Sequence, residues 1–303
     1  MKTYDLIILG AGPAGITAAV YAARKKLDFL VITQDVGGQT VWSGDIENYT
    51  GYQFISGPDL ALKFQEHMNA FSMSVHMPEE VQYLAKAGRL VEVRTDKGSY
   101  LSKAAIIATG KHPRSLSVPG EKEFRNRGVT YCATCDGPLF KDKTVAVVGG
   151  GNSALDAALQ MIKISPKVHV INTAARLTAD PVMTEKLQRA TNAEIWNNAK
   201  VTKISGDTFV GSCEVEKDGV SFSLAVSGIL IEIGLIPNSD FTKAVKRNDV
   251  GEIIVDNHNS TDIEGIFSAG DVTDVFEKQI IVACGEGAKA CLAAFHYLST
   301  HDF

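Results

Sequence analysis

Asp5-Leu-Ile-Ile-Leu-Gly10-Ala-Gly12-Pro13-Ala14-Gly15 lies near the start of the chain, and Thr144-Val-Ala-Val-Val-Gly149-Gly-Gly151-Asn152-Ser153-Ala154 repeats its plan in the middle. Each is an unbroken apolar run, then a glycine-rich turn, then a helix-forming stretch. A second apolar run follows each: Phe29-Leu-Val-Ile32 and Val168-His-Val-Ile171. Continuous apolar runs suit parallel strands buried on both faces, because alternation appears only where one face meets water. Both turns fit G-x-G-x-x-G/A. The first glycine makes the tight turn, the second lets backbone approach a pyrophosphate, and the third small residue lets helix and strand pack closely. One such match is weak; two in the right strand–helix context predict an α/β protein with two dinucleotide-binding, Rossmann-like domains.

Two further segments extend the first unit. Ala104-Ala-Ile-Ile-Ala108-Thr109-Gly110 reads as a buried strand ending in a small-residue turn. Gly265-Ile-Phe-Ser-Ala-Gly270-Asp271 reads the same way and ends in a carboxylate at the carboxyl end of a strand, where an open α/β sheet binds its ligands. Asp271 lies far along the chain from Gly10, so the first domain is expected to be split by an insertion. The predicted boundaries are 1–112 and 243–303 for the split domain and 113–242 for the insert.

The 303 residues suffice for two ordinary domains, and 45% hydrophobic with 21% charged residues marks a globular chain rather than a disordered one. A net charge of −5 argues against nucleic acid, which demands a clustered positive surface. The apolar stretch Leu6–Ala23 could be taken for a membrane span. Four residues, Gly10, Gly12, Pro13 and Gly15, interrupt it, and Asp5 precedes it where a signal peptide carries basic residues. Neither membrane nor targeting segment is expected, and the expected location is the cytosol.

Five cysteines are an odd number, and a single pair is closely spaced: Cys132-Ala-Thr-Cys135-Asp136. A lone C-x-x-C in a cytosolic chain reads as a redox pair. Asp136 beside it offers a group to protonate or deprotonate a leaving thiol. Zinc would require two further ligands, and no second Cys or His pair is spaced to supply them, so no metal is expected. Cys284 and Cys291 fall on one helical face and read as core, and Cys213 as inert.

Taken together these residues resemble the low-molecular-weight thioredoxin reductase family over essentially the whole chain. The matching elements are Gly10–Gly15, Gly37-Gly38-Gln39, Asp45-Ile-Glu-Asn48, Ala108-Thr109-Gly110, Cys132–Asp136, and Gly270-Asp271 with Lys278-Gln279-Ile280. Several stretches are closer still to the flavoprotein subunit of alkyl hydroperoxide reductase, among them Cys135-Asp-Gly-Pro-Leu-Phe140 and Gly149-Gly-Gly-Asn-Ser153. The resemblance implies FAD held by Gly10, Gly12, Pro13, Ala14, Gly15, the strand end Thr33-Gln34-Asp35, Gly38, Gln39, Asn48, 108–110, Gly270, Asp271 and 278–280. It implies a pyridine nucleotide at Gly149, Gly151, Asn152, Ser153 and Ala154. It further implies a homodimer, with Cys135 taking electrons from the flavin, Cys132 attacking a partner's disulfide and Asp136 as acid–base. The insert is expected to rotate on hinges near Lys111-His-Pro113 and 233–237. The related flavoprotein carries a preceding thioredoxin-fold domain, whereas Tyr4 begins the flavin domain here, so electrons are expected to leave to a separate thioredoxin- or glutaredoxin-like protein.

One departure bears on the electron donor. NADPH-dependent members place His-Arg-Arg at the end of the strand after the second turn, with a further arginine beyond, to grip the 2′-phosphate. This chain has Asn172-Thr-Ala-Ala-Arg176-Leu-Thr178 instead. NADH recognition normally adds a carboxylate there, and Asn172 is not one, though it can hydrogen-bond a ribose. The expected donor is NADH or a non-standard one rather than NADPH. The alternatives are reduction by ferredoxin and a flavin dithiol oxidase using oxygen.

Overall fold

The computed structural model describes residues 2–42, 45–46, 48–131 and 133–303, with backbone alone at Trp42, Asp45, Thr134 and Cys135. The chain divides into two compact units, Met1–His112 with Ile236–Phe303, and Pro113–Leu235. It is thus a mixed α/β protein of two Rossmann-like units, the second inserted into the first. The return crossing comes before the 242/243 expected from sequence. The reason is that residues 238–242 are tied into the first unit: Asn238 Nδ2 donates to Thr109 O at 2.7 Å, Ser239 Oγ to Gly251 O at 2.7 Å, and Thr242 Oγ1 to Leu84 O at 3.2 Å.

In the first unit a seven-stranded sheet runs Ser74–His76, Phe29–Val36, Thr3–Ala11, Ser99–Ile107, Leu90–Thr95, Val81–Ala87, with Ile266–Ser268 also paired to Ser99–Ile107. Thr3–Ala11 is central and parallel to both neighbours, with Ile8 opposite Val31 on one side and Ile106 on the other. Its unbroken apolar run follows from that position. Leu6 and Ile8 pack with the helices Pro13–Arg24 and Ile280–Thr300, while Ile7 and Leu9 face the opposite core with Leu84, Val91 and Val93. The stretch that mimicked a membrane span is therefore a strand and a helix joined by the glycine turn. No helix among the described residues is long and apolar enough to cross a membrane.

The second unit has a five-stranded parallel sheet ordered Val129–Thr130, Gly228–Ile231, Val145–Val148, Val168–Ile171, Ala193–Trp196. A three-stranded antiparallel sheet, Ala199–Gly206, Val210–Lys217 and Val220–Ala225, follows it. The helix Asn152–Met161 buries Ala154, Leu155, Ala157, Ala158 and Met161 against Val145, Val147, Val168 and Val170.

Candidate active site

The first glycine turn distributes its glycines by necessity. Gly10 has φ +103°, and a Cβ there would stand 2.4 Å from Ala108 O; one at Gly15 would stand 1.9 Å from Gly10 O. Both are therefore fixed by internal packing. Gly12 differs, since a Cβ there would meet nothing within 4 Å. It precedes a twelve-residue helix whose N-terminus has no side-chain cap and no acidic residue in its first turn. Open space before uncapped N–H groups fits a dinucleotide pyrophosphate.

Several of the other predicted FAD residues of this unit are linked to the first turn or to one another. Gly37 N–H donates to Ala11 O at 2.8 Å, and a Cβ on Gly38 would lie 3.3 Å from Gly12 Cα. Gly270, at φ +77°, backs onto Ala14, whose Cβ would lie 2.9 Å from a Cβ at 270. Gln39 Nε2 donates to Lys111 O at 3.3 Å, and Asn48 Nδ2 to Gln279 Oε1 at 3.0 Å. Gly110 has φ +63° beside open space. Ile280 begins the terminal helix, whose N-cap Gln279 makes no side-chain cap bond. Thr33 stands at the predicted strand end with its hydroxyl engaged by the backbone. It is buried, donates to Asp35 O at 2.6 Å and accepts Ala11 N–H at 3.1 Å, so its hydroxyl serves the backbone, and Gln34 and Asp35 are the exposed groups at that strand end.

Asp271 is part of a charged group that sequence reading did not assemble. Burial raises its pKa, and the nearby ammonium groups of Lys278 and Lys111 pull it back. Glu252 lies between those lysines, accepting from Lys111 Nζ at 2.8 Å and Lys278 Nζ at 3.1 Å, with Asn248 Nδ2 at 2.7 Å on its other oxygen. Burial works against its ionisation, yet these bonds prevail and its pKa falls to about 2. Asn238 is a second omission. It accepts and donates across the 109–110 turn, taking Thr109 Oγ1 on its own carbonyl at 2.6 Å while its N–H donates to Gly110 O at 2.9 Å. Glu286, buried in the terminal helix, accepts Gly270 N–H at 3.0 Å and Thr273 Oγ1 at 3.3 Å. No spacing motif announces these groups; each binds at least one residue far along the chain.

In the second unit, Gly149 has φ +139°, and a Cβ there would stand 2.1 Å from Glu232 O. The turn leads into the helix Asn152–Met161, again without a side-chain cap. Gly151 is open: the nearest atom to a Cβ there would be Thr178 Oγ1 at 3.9 Å. The loop after Val168–Ile171 folds back onto the turn, with Thr178 N–H and Ala179 N–H donating to Gly150 O at 2.8 and 3.2 Å. Asn152 is engaged by that loop, accepting Asp180 N–H at 2.8 Å and donating to Asp180 Oδ2 at 3.3 Å. Ser153 is exposed and Ala154 fully buried. Asn172, expected to offer a hydrogen bond to a ribose, is buried instead. Its amide donates to Ala174 O at 3.1 Å and Asn197 Oδ1 at 3.0 Å, and its oxygen accepts Ala174 N–H at 3.2 Å. Ala174 in that loop and Asn197, just past the strand Ala193–Trp196, satisfy it.

Cys132 lies outside the described residues. The backbone of Cys135 sits in the short helix Ala133–Asp136, which continues as a tighter turn over Gly137–Phe140. Thr130 Oγ1 donates to Asp136 Oδ2. The approach to the motif is anchored by Glu121, which is 1% exposed and accepts four hydrogen bonds: Ser115 Oγ at 2.6 Å, Leu116 N–H at 2.9 Å, Ser117 N–H at 2.6 Å and Tyr131 OH at 2.6 Å. Burial alone would raise the Glu121 pKa, but these donors bring it below the usual carboxylate value. Among the described residues no cluster of three His, Cys, Asp or Glu side chains could hold a metal ion. Cys213, Cys284 and Cys291 are free and buried.

The family model for pyridine nucleotide-disulphide oxidoreductases matches residues 4–287. The chain is 40% identical over 299 residues to an NADH dehydrogenase of Ferdinandcohnia aciditolerans, covering 97% of this chain and 57% of that protein. It is 42% identical over 306 residues to an alkyl hydroperoxide reductase component of Escherichia coli, covering 97% and 58%. The chain thus spans a little under three fifths of these curated relatives. A thioredoxin reductase from Lactococcus lactis, solved in its FR conformation, superposes with a TM-score of 0.88 at 33% identity, covering 99% of this chain and all of that one. The residues of the first turn fit the FAD that this family implies, and the second turn has the form of its pyridine-nucleotide site. The chain belongs to the pyridine nucleotide-disulphide oxidoreductase family, as a flavoprotein of the thioredoxin reductase type.

Proposed function

We propose that the chain is an FAD-dependent disulfide reductase that passes electrons through flavin to Cys132 and Cys135, and on to a thioredoxin- or glutaredoxin-like protein. The observation that carries this reading is the open, uncapped dinucleotide turn at Gly12, together with a Cys-x-x-Cys-Asp sequence in the inserted unit whose last four residues form the short helix Ala133–Asp136. FAD, when bound, supplies a two-electron relay between donor and sulfur. The chain's own residues do the rest. Gly12, Ala14 and Gly15 present backbone N–H groups to the pyrophosphate. Asp271 takes ribityl hydroxyls, and Asn48, Gln279 and Ile280 border the ring. Asp136, steadied by Thr130 through Oδ2, carries a proton to or from the departing thiol. A homodimer and a cytosolic location belong to the same proposal.

For the donor we favour NADH or a non-standard reductant over NADPH. The 2′-phosphate would find Arg176 as the sole basic residue of 172–180, and Asn172 is internally engaged. That engagement also favours a second reading, reduction by ferredoxin or oxidation of dithiols by oxygen, in which the nucleotide turn is structural.

Anaerobic mixing of the FAD-loaded protein with NADPH, NADH or reduced ferredoxin separates these readings through bleaching of the flavin's visible band. Bleaching by NADH is expected. Rapid bleaching by low NADPH would overturn the donor assignment, and none by either nucleotide would promote the second reading. Oxygen uptake with dithiols then distinguishes oxidase from ferredoxin enzyme.

A further inference from the structure

Two segments of the inserted unit meet beside the second glycine turn, and their meeting leaves one end of it short of hydrogen-bond donors. The strand Val168–Ile171 runs out at Asn172, the position from which a dinucleotide fold reads the adenosine ribose. The loop that follows is laced to the segment after the strand Ala193–Trp196. Asn172 N–H donates to Trp196 O at 2.9 Å, Ala199 N–H to Asn172 O at 3.0 Å, and Asn198 N–H to Ala174 O at 3.1 Å. These backbone bonds bring Asn197, 25 residues further along the chain, against the Asn172 side chain. The Asn172 amide lies on the turn itself: a Cβ on Gly150 would stand 2.4 Å from its Oδ1 and 3.1 Å from its Nδ2. An amide nitrogen has two hydrogens to give. Ala174 O takes one at 3.1 Å and Asn197 Oδ1 the other at 3.0 Å, while the Ala174 N–H is spent on Asn172 Oδ1 at 3.2 Å. A phosphate is bound by N–H groups aimed at it. Both amide donors that face this turn are already committed elsewhere.

We propose that Asn197 is a positioning residue for nucleotide choice: by holding one Nδ2 hydrogen of Asn172, it denies that donor to a 2′-phosphate. The inference rests on the reading in which NADH is the electron donor and the second turn binds it. It adds a second cause of that preference to the missing arginines, and places it in a residue that no nucleotide motif contains. A ribose without the 2′-phosphate brings no extra anion to this end of the turn and loses nothing by the hold.

The test titrates the full FAD-loaded chain with NAD⁺ and NADP⁺ by isothermal calorimetry, so that binding is read without turnover. Wild type should prefer NAD⁺. Asn197→Ala frees the Nδ2 hydrogen, and affinity for NADP⁺ should rise about fivefold or more, while that for NAD⁺ moves far less. Asn197→Asp keeps an acceptor for Asn172 and should keep the wild-type preference. Asn197→Ser, with a side chain shorter than the amide it replaces, carries the test should Asn197→Ala not fold. A ratio of NADP⁺ to NAD⁺ affinity equal to that of wild type in the Ala and Ser variants, or an equal rise in Asn197→Asp, would overturn this inference alone. Wild type that binds NADP⁺ the more tightly, or binds neither nucleotide, would overturn the donor reading and this inference with it.

Discussion

Gly12 and Gly15 stand three residues apart in one turn, and a methyl group should have opposite consequences at the two. At Gly15 it would sit 1.9 Å from Gly10 O, a backbone atom that cannot yield. Gly15→Ala should therefore destabilise the first unit by about 3 kcal/mol or more, visible as a lower melting temperature even without flavin. At Gly12 the methyl enters open space, with φ −78° that any residue accepts. Gly12→Ala should leave the apoprotein's melting temperature nearly unchanged while FAD content falls at least tenfold on purification. Equal losses of stability in the two variants would refute this division. Glu252 gives a residue-scale prediction in pH. Its folded pKa of about 2 lies below the ordinary value of 4.5, so the stability it contributes is present above pH 4.5 and is lost as pH falls toward 2. The upper bound is roughly 3 kcal/mol. Thermal melts of wild type and Glu252→Gln should converge as pH drops from 5 to 2.5; parallel curves would show that the two lysines do not act through this carboxylate.

Among the elements, the strand–turn–helix units were legible because their chemistry is local. Gly10 to Gly15 and Gly149 to Ala154 encode a turn, a helix start and a close approach within six residues, and the apolar runs beside them announce strands buried on both faces. The anchors were not legible, because each joins residues with no fixed spacing: Glu286 to Gly270, Asn238 to Thr109, Glu252 to Lys111. The internal hydrogen bonds of Thr33 and Asn172 were hidden for a related reason. Their polarity is visible in sequence, but whether it points at a ligand or at the next loop depends on backbone geometry. The element leading into the cysteine motif shows how much such anchors can matter. Glu121 holds Ser115, Leu116, Ser117 and Tyr131 at once, and burial together with Glu121 lifts the Tyr131 pKa to about 12. Replacing Glu121 by Gln leaves a donor facing donors. A loss of about 2 kcal/mol is expected, together with a phenol that ionises at lower pH in an ultraviolet titration. An unchanged phenol titration would remove Tyr131 from this network.

For the whole molecule, the thiol inventory makes a direct prediction. Burial lifts the thiols of Cys213 and Cys291 to about 12 and raises that of Cys284 as well, so these three should be inert in the native state. Reduced native protein should then react with a chromogenic disulfide at two thiols, and denatured protein at five; Cys135→Ser should keep its yellow FAD yet lose partner reduction. Three or more fast thiols in the native protein would contradict the burial pattern. The architecture also orders events in time. A side chain at Gly287 would strike Ala14 O at 2.0 Å, so the last helix presses directly on the backbone of the first glycine turn, and Glu286 fixes the Gly270 loop beside it. During synthesis the phosphate-cradling turn at Gly10 to Gly15 emerges long before its rear wall, the helix beginning at Ile280. Flavin loading is consequently a late event of biogenesis, and a polypeptide stalled or clipped before that helix should stay colourless however well its inserted unit has folded.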